Sequence, residues 1–341
     1  MPRLRSVLSI VASLALAGGL LWLALRGADL AEIGPALAGG AWGWAVPFVA
    51  VGVLSVVVRA WRWGLLIEAL PGRPRAGLRL TTASVFIGYL VNYAAPRLGE
   101  VARTANVARG SDATFSGVLG TVVAERVLDV AALALALGAV ALVYGGRLAV
   151  VWDAAVAGAS DALAAVPGGA VWALAAAAVA LAAVGVWWLR RRPGGAAGGE
   201  KASVLDAFRD GLTSLARTGR PVALVGSTAL IWACYVVMSD LPLRILGLSG
   251  AYGLGLAEAG AVMAVGGVGM ALPAPGGTGS FHYATVQALT VLFAVTATSA
   301  ATYAILVHAA GVVFYCAGGV LALVWQGTTL GDVRAQAEAA S

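Results

Sequence analysis

Apolar runs of about 20 residues recur along the whole chain, and an α-helix needs that length to cross a hydrocarbon core. About six can be read, at roughly 7–25, 42–58, 115–143, 170–189, 221–237 and 300–325. A transmembrane β-barrel would instead show short segments of alternating polarity. The 341 residues are 60% hydrophobic and only 11% charged, too little polar surface for a soluble domain. The expected fold is an all-α polytopic membrane protein, with 1–341 read as a single membrane domain.

Placement of charge gives a topology. The net charge of +6 comes from arginines gathered in particular loops, as the positive-inside rule predicts, so no nucleic-acid partner is implied. Arg3 and Arg5 put the N-terminus in the cytoplasm. Arg59 and Arg62, interleaved with Trp61 and Trp63, read as an interfacial anchor ending the second span, and Arg73, Arg75 and Arg79 as the cytoplasmic loop after it. Arg190, Arg191 and Arg192 beside Trp187 and Trp188 form a second cytoplasmic anchor. A glycine-rich linker at 193–199 and an interfacial helix near 203–216 follow, giving a cytoplasmic segment over 190–220. An external amphipathic helix is expected near 151–166. Asp332, Arg334 and Glu338 lie in a cytoplasmic tail, so both termini face the cytoplasm of a bacterial-type plasma membrane. Cys234 and Cys316 sit in apolar runs, and with only His282 and His308 beside them no metal-ligand spacing arises. The chain shows no nucleotide-binding loop either, so no cofactor is expected.

Two stretches break the apolar pattern. Asn92-Tyr93-Ala94-Ala95-Pro96-Arg97-Leu98-Gly99-Glu100-Val101-Ala102-Arg103 carries a helix breaker and three charges within an apolar region. Broken backbone and charge survive at membrane depth only where they face protein or a wet cavity. The stretch is read as the tip of a re-entrant helical hairpin entering from the cytoplasm. The alternative is an ordinary span over 81–95 followed by an exposed amphipathic helix. The second stretch runs from Leu272 to Gly279 through Pro273, Pro275, Gly276 and Gly277. With the spans on either side, the halves near 42–143 and 221–326 have the same order of elements in opposite directions. That is the pattern of an inverted repeat with two opposed hairpins, whose broken helices mark a substrate site near the midplane.

Asn92, Pro96, Arg97, Gly99, Glu100 and Arg103, then Glu125-Arg126 with Asp129, then Pro273, Pro275, Gly276, Gly277 and Gly279, resemble the lysylphosphatidylglycerol synthase transmembrane (flippase-like) family. The resemblance covers most of the chain. In the multiple peptide resistance factor proteins the similar membrane region is assigned lipid translocation, while a separate soluble domain transfers the aminoacyl group. With cytoplasmic stretches of about 30 residues at most, no such domain is expected here. The resemblance therefore implies lipid handling without synthesis. Many family members carry a glutamate shortly after the second motif, where this chain has His282.

A translocated phospholipid needs a polar groove with cations for its phosphate. Arg97, at the expected hairpin tip, suits this role, because guanidinium binds phosphate through two parallel bonds and stays charged when buried. Asn92 and Tyr93 would cap or line the tip. Glu100, Glu125 and Asp129 would balance Arg97, Arg103 and Arg126 or receive a cationic headgroup. Glu125, Arg126 and Asp129 also suit a purely structural network. Gly277 and His282 belong to the second breaker, and the helix starting after Gly279 would face an anion. The reading that follows is a non-enzymatic lipid transporter for an aminoacylated phospholipid or a polyprenyl-phosphate-linked lipid. Alternatives are a membrane-embedded enzyme on a lipid phosphate and an accessory subunit of a lipid-modifying system. Partners would be the membrane lipid itself and a second copy of the chain or a lipid-modifying enzyme.

Overall fold

A computed structural model describes residues 2–94, 98–156, 200–272, 274–329 and 331–332. Arg97, Pro273, the expected span at 170–189, its arginine triplet, the glycine-rich linker, most of the expected helix at 151–166 and the tail beyond Asp332 lie outside the described residues. The described residues form helices joined by short turns and loops, with no strand among them. In chain order the helices are α1 (Pro2–Leu25), α2 (Leu30–Ala38), α3 (Ala45–Glu68), α4 (Leu78–Ala94), α5 (Leu98–Arg109), α6 (Phe115–Val156), α7 (Glu200–Arg217), α8 (Pro221–Ile245), α9 (Leu248–Tyr252), α10 (Leu256–Ala271), α11 (Ser280–Gln287) and α12 (Ala297–Gln326).

Among the described residues four segments are long and apolar enough to cross a membrane: Trp42–Glu68, Phe115–Arg147, Pro221–Ile245 and Ala297–Gln326. Ser13–Leu25 and Leu30–Ala38 form a pair bent by 79°, a fifth span if the pair counts as one. The protein is therefore an integral membrane protein with four to five such spans in its described part. Two expected boundaries move. The second span does not stop at Val58; α3 runs on to Glu68 and takes Arg59 and Arg62 into its body. The reason is the stripe Val56, Ala60, Trp63 and Ile67, all buried, which keeps helical spacing across the arginines and gives the helix no cause to end. Likewise α8 passes the expected outer end at Val237 and includes Asp240, Pro242 and Arg244, with Arg244 Nε on Asp240 Oδ2 at 2.5 Å one turn apart.

The chain divides into two compact units. One comprises Val53–Ala132, Ala175–Ala233 and Val313–Ser341. Its core joins the α3 stripe to Val85 of α4, Val107 of α5 and Val118 and Val122 of α6. Here α4 and α5 pack against each other on either side of residues 95–97. The pair is stitched by polar groups: Asn92 Oδ1 accepts the Gly99 N–H at 2.8 Å, and Asn106 Nδ2 donates to Ser84 Oγ at 2.8 Å. Asn92 thus satisfies a first-turn donor of α5 that has no partner within that helix. The backbones meet at Gly88 and Gly99, where a Cβ on Gly99 would strike the Gly88 carbonyl. The exposed amphipathic helix of the alternative reading is not what forms, because Gly99 and every residue from Ala102 to Val107 are buried. The same unit holds α7, whose Gly211 lies backbone to backbone on Gly120 of α6.

The other unit comprises Met1–Gly52, Leu133–Leu174 and Cys234–Val312. It contains a second packed helix pair, α10 with α11, joined through a 3₁₀ turn at Pro275–Gly277. Its close approach is at Gly269, where a Cβ would meet Ser280 O at 2.5 Å. Tyr303 Oη donates to the Ser239 carbonyl at 2.7 Å, holding α12 to α8 within this core.

Candidate functional site

Glu125 and Asp129 are four residues apart on α6 and therefore share one face. Arg59 and Arg62 are three apart on α3 and do the same. The two faces meet. Arg59 Nη1 lies 2.5 Å from Glu125 Oε1 and 3.0 Å from Asp129 Oδ2. Arg62 Nη2 lies 2.7 Å from Asp129 Oδ1 and 3.3 Å from Glu125 Oε1. From α5, Arg103 Nη1 reaches Glu125 Oε2 at 3.0 Å. Of the three carboxylates the sequence offers Arg126, namely Glu125, Asp129 and Glu100, it pairs with Glu100 at 2.8 Å and Asp129 at 3.6 Å, since consecutive helix residues such as Glu125 and Arg126 diverge by about 100°.

Neutral groups fix the arginines. Arg62 Nη1 donates to Thr228 Oγ1 of α8 at 2.8 Å. The Arg103 guanidinium lies over the Trp63 ring, 4.8 Å from its centroid, and Trp63 Nε1 donates to Thr121 Oγ1 at 3.0 Å. Asn92 Nδ2 donates to Glu100 Oε2 at 3.3 Å, tying the start of α5 to the end of α4.

Exposure grades across the network. The Arg62 and Glu125 side chains are 0% exposed, Asp129 14%, Glu100 28% and Arg126 45%. One end is sealed in protein and the other, at Glu100 and Arg126, is open. Four arginines face three carboxylates, and Arg103 Nη2 is buried with no hydrogen-bond partner among the described residues. A network with one cation in excess and an unused guanidinium nitrogen can accept an anion.

This network holds six residues of the first two motifs, Asn92, Glu100, Arg103, Glu125, Arg126 and Asp129, and the family profile described as Lysylphosphatidylglycerol synthase TM region matches residues 10–319. The chain belongs to that family. No curated protein and no solved structure matches it. Family membership makes it a membrane-embedded, lipid-related domain.

For this member of the lysylphosphatidylglycerol synthase TM region family, the remaining expected residues fall elsewhere. Tyr93 is half-buried on the last turn of α4. Gly277 and His282 belong to the other unit. There the N-terminus of α11 does not face an open anion site. His282 Nδ1 accepts the Gly279 N–H at 3.4 Å, and a Cβ on Gly279 would run into the Ala17 carbonyl, so the helix start is capped by its own side chain and covered by α1. His282 and His308, 26 residues apart in sequence on α11 and α12, are side by side with ring centroids 4.7 Å apart. Sequence reasoning missed Arg59 and Arg62 as members of the network. The signal was present: both sit beside the apolar stripe that continues through Trp63, Leu66 and Ile67, which a loop anchor would not need.

Proposed function

We propose that this protein moves a phosphate-bearing lipid, an aminoacylated phospholipid or a polyprenyl-phosphate-linked lipid, between leaflets without chemically altering it. The observation that carries the reading is the buried network with surplus positive charge and an open end. Its arginines offer a phosphate charge-assisted bonds, while Glu100 at the open end suits a cationic aminoacyl group. Asn92, Glu100, Arg103, Glu125, Arg126 and Asp129 form the headgroup track, Tyr93 flanks it, and Arg97, between α4 and α5 in the sequence, is a further cation for the phosphate. Gly277 and His282 serve the matching segment of the second half.

The two packed helix pairs, each interrupted at a proline in the sequence and each closely approached at a glycine, support an inverted repeat with two re-entrant hairpins. On that reading α4 enters from the cytoplasm, both termini are cytoplasmic, and the tails of the lipid stay in the bilayer while the headgroup passes.

The test is reconstitution into liposomes holding a fluorescent phospholipid in both leaflets, with an outside quencher. Protein-dependent quenching of the inner pool with the lipid unchanged on analysis is the expected result. A changed lipid would assign the site to an enzyme, and quenching equal to that in protein-free vesicles would exclude transport of that lipid.

A further inference from the structure

A second concave basic site lies apart from the charge network. The end of α3, the turn after it through Arg73 and Arg75, Arg217 at the end of α7, and Thr218 and Arg220 of the connection to α8 line a cavity of about 380 Å³. Arg73, Arg75, Arg217 and Arg220 line it against a single glutamate, Glu68. Leu65 of the lining is buried in a cluster with Leu66 and Leu224, against which Leu215 and Ala223 pack. Two of the arginines are engaged: Arg217 pairs with Asp210, and Arg220 stands 4.0 Å from Glu68. Arg73 and Arg75 are exposed and meet no carboxylate among the described residues. An independent observation is the backbone at Arg73, which has φ +50° immediately before Pro74. An arginine in that left-handed conformation is strained, and strain of this kind is kept where the chain must hold a side chain in place. The cavity also sits where two candidate spans, α3 and α8, end and begin, which is headgroup depth for a membrane helix.

We infer that this cleft is a binding site for a phosphate-bearing anion at the membrane surface, separate from the network that would carry the transported headgroup. Basic pockets between membrane helices take anionic headgroups in this way. The same four-arginine concavity also fits a soluble phosphate compound, and the probe decides between the two sources. The full chain is placed in phosphatidylcholine nanodiscs, with or without phosphatidylglycerol, and inorganic pyrophosphate is titrated into the phosphatidylcholine discs. Binding is followed as the rise in unfolding temperature. A rise with phosphatidylglycerol alone identifies a lipid headgroup; a rise with pyrophosphate identifies a soluble phosphate group. In either case R73A and R75A weaken the responding probe about fivefold each, since one basic side chain near an anionic surface contributes about that factor, and added salt weakens it further. No rise with either probe, or an unchanged rise in the double variant R73A/R75A, overturns the inference. Both residues are exposed and outside the core, and the unfolding temperature of the double variant in phosphatidylcholine alone verifies that it folds.

Discussion

Each charge in the α3–α5–α6 network depends on its place in the exposure gradient. Glu125 is fully enclosed and takes bonds from Arg59, Arg62 and Arg103. Removing it leaves three guanidinium groups facing each other without their shared anion, and breaking a buried pair costs about 3–5 kcal/mol. Glu125→Gln is therefore expected to lower the unfolding temperature sharply or abolish folded protein in detergent, as read by thermal unfolding on a sizing column. Arg126, 45% exposed and paired with Glu100, is in the opposite position. An exposed pair contributes about 0–1 kcal/mol, so Arg126→Ala is expected to leave the unfolding temperature nearly unchanged. Neighbours in sequence thus have opposite mutational signatures. For Arg59 and Arg62 the stripe continuing through Trp63 and Ile67 shows that the helix runs on past them, but an arginine beside tryptophan looks the same in sequence whether it faces lipid headgroups or a buried carboxylate. Their partner lies far along the chain on α6, 66 residues away for Arg59 and Glu125, and no local pattern names it.

Whole helices were easier to read than their ends. Apolar length placed α1, α3, α6, α8 and α12, because hydrocarbon thickness imposes it. The ends of α3 and α8 lie beyond the charges that suggest them, because Arg59, Arg62 and Asp240 have partners on their own or facing helices and need not leave the membrane helix. The break between α4 and α5 was visible as Ala95-Pro96, yet its closure rests on Gly88 and Gly99 meeting backbone to backbone, which spacing alone does not reveal. Close packing of this kind is how membrane helices gain contact, and it yields a paired prediction. Gly99→Ala should lower the unfolding temperature, since its methyl would overlap the Gly88 carbonyl. Gly138→Ala, on α6 with nothing within 4 Å of the added Cβ, should leave it equal or raise it by the equivalent of about 0.4–1 kcal/mol. Equal losses at both positions would mean that the α4–α5 contact is not the tight one described.

The match to the lysylphosphatidylglycerol synthase TM region family extends over residues 10–319, so most of the chain belongs to the membrane-embedded domain. If α4 and α5 form a re-entrant hairpin, Gly110, which follows α5, returns to the side from which Leu78 entered. With Cys234 and Cys316 replaced, a cysteine at Gly110 should react with an impermeant maleimide only from the cytoplasmic side; labelling of intact cells from outside would make α4 and α5 separate crossings. What distinguishes a headgroup site from a helix lock is whether Arg126, at the open end of the network, handles a lipid headgroup. Leaflet exchange by R126A, in liposomes and at matched protein amount, tests it most directly. The account predicts an unfolding temperature like the parent's with exchange reduced at least about tenfold, the effect of losing one charge-assisted bond of roughly 1.5 kcal/mol or more. Exchange at the parent's rate from a protein equally well folded would contradict it.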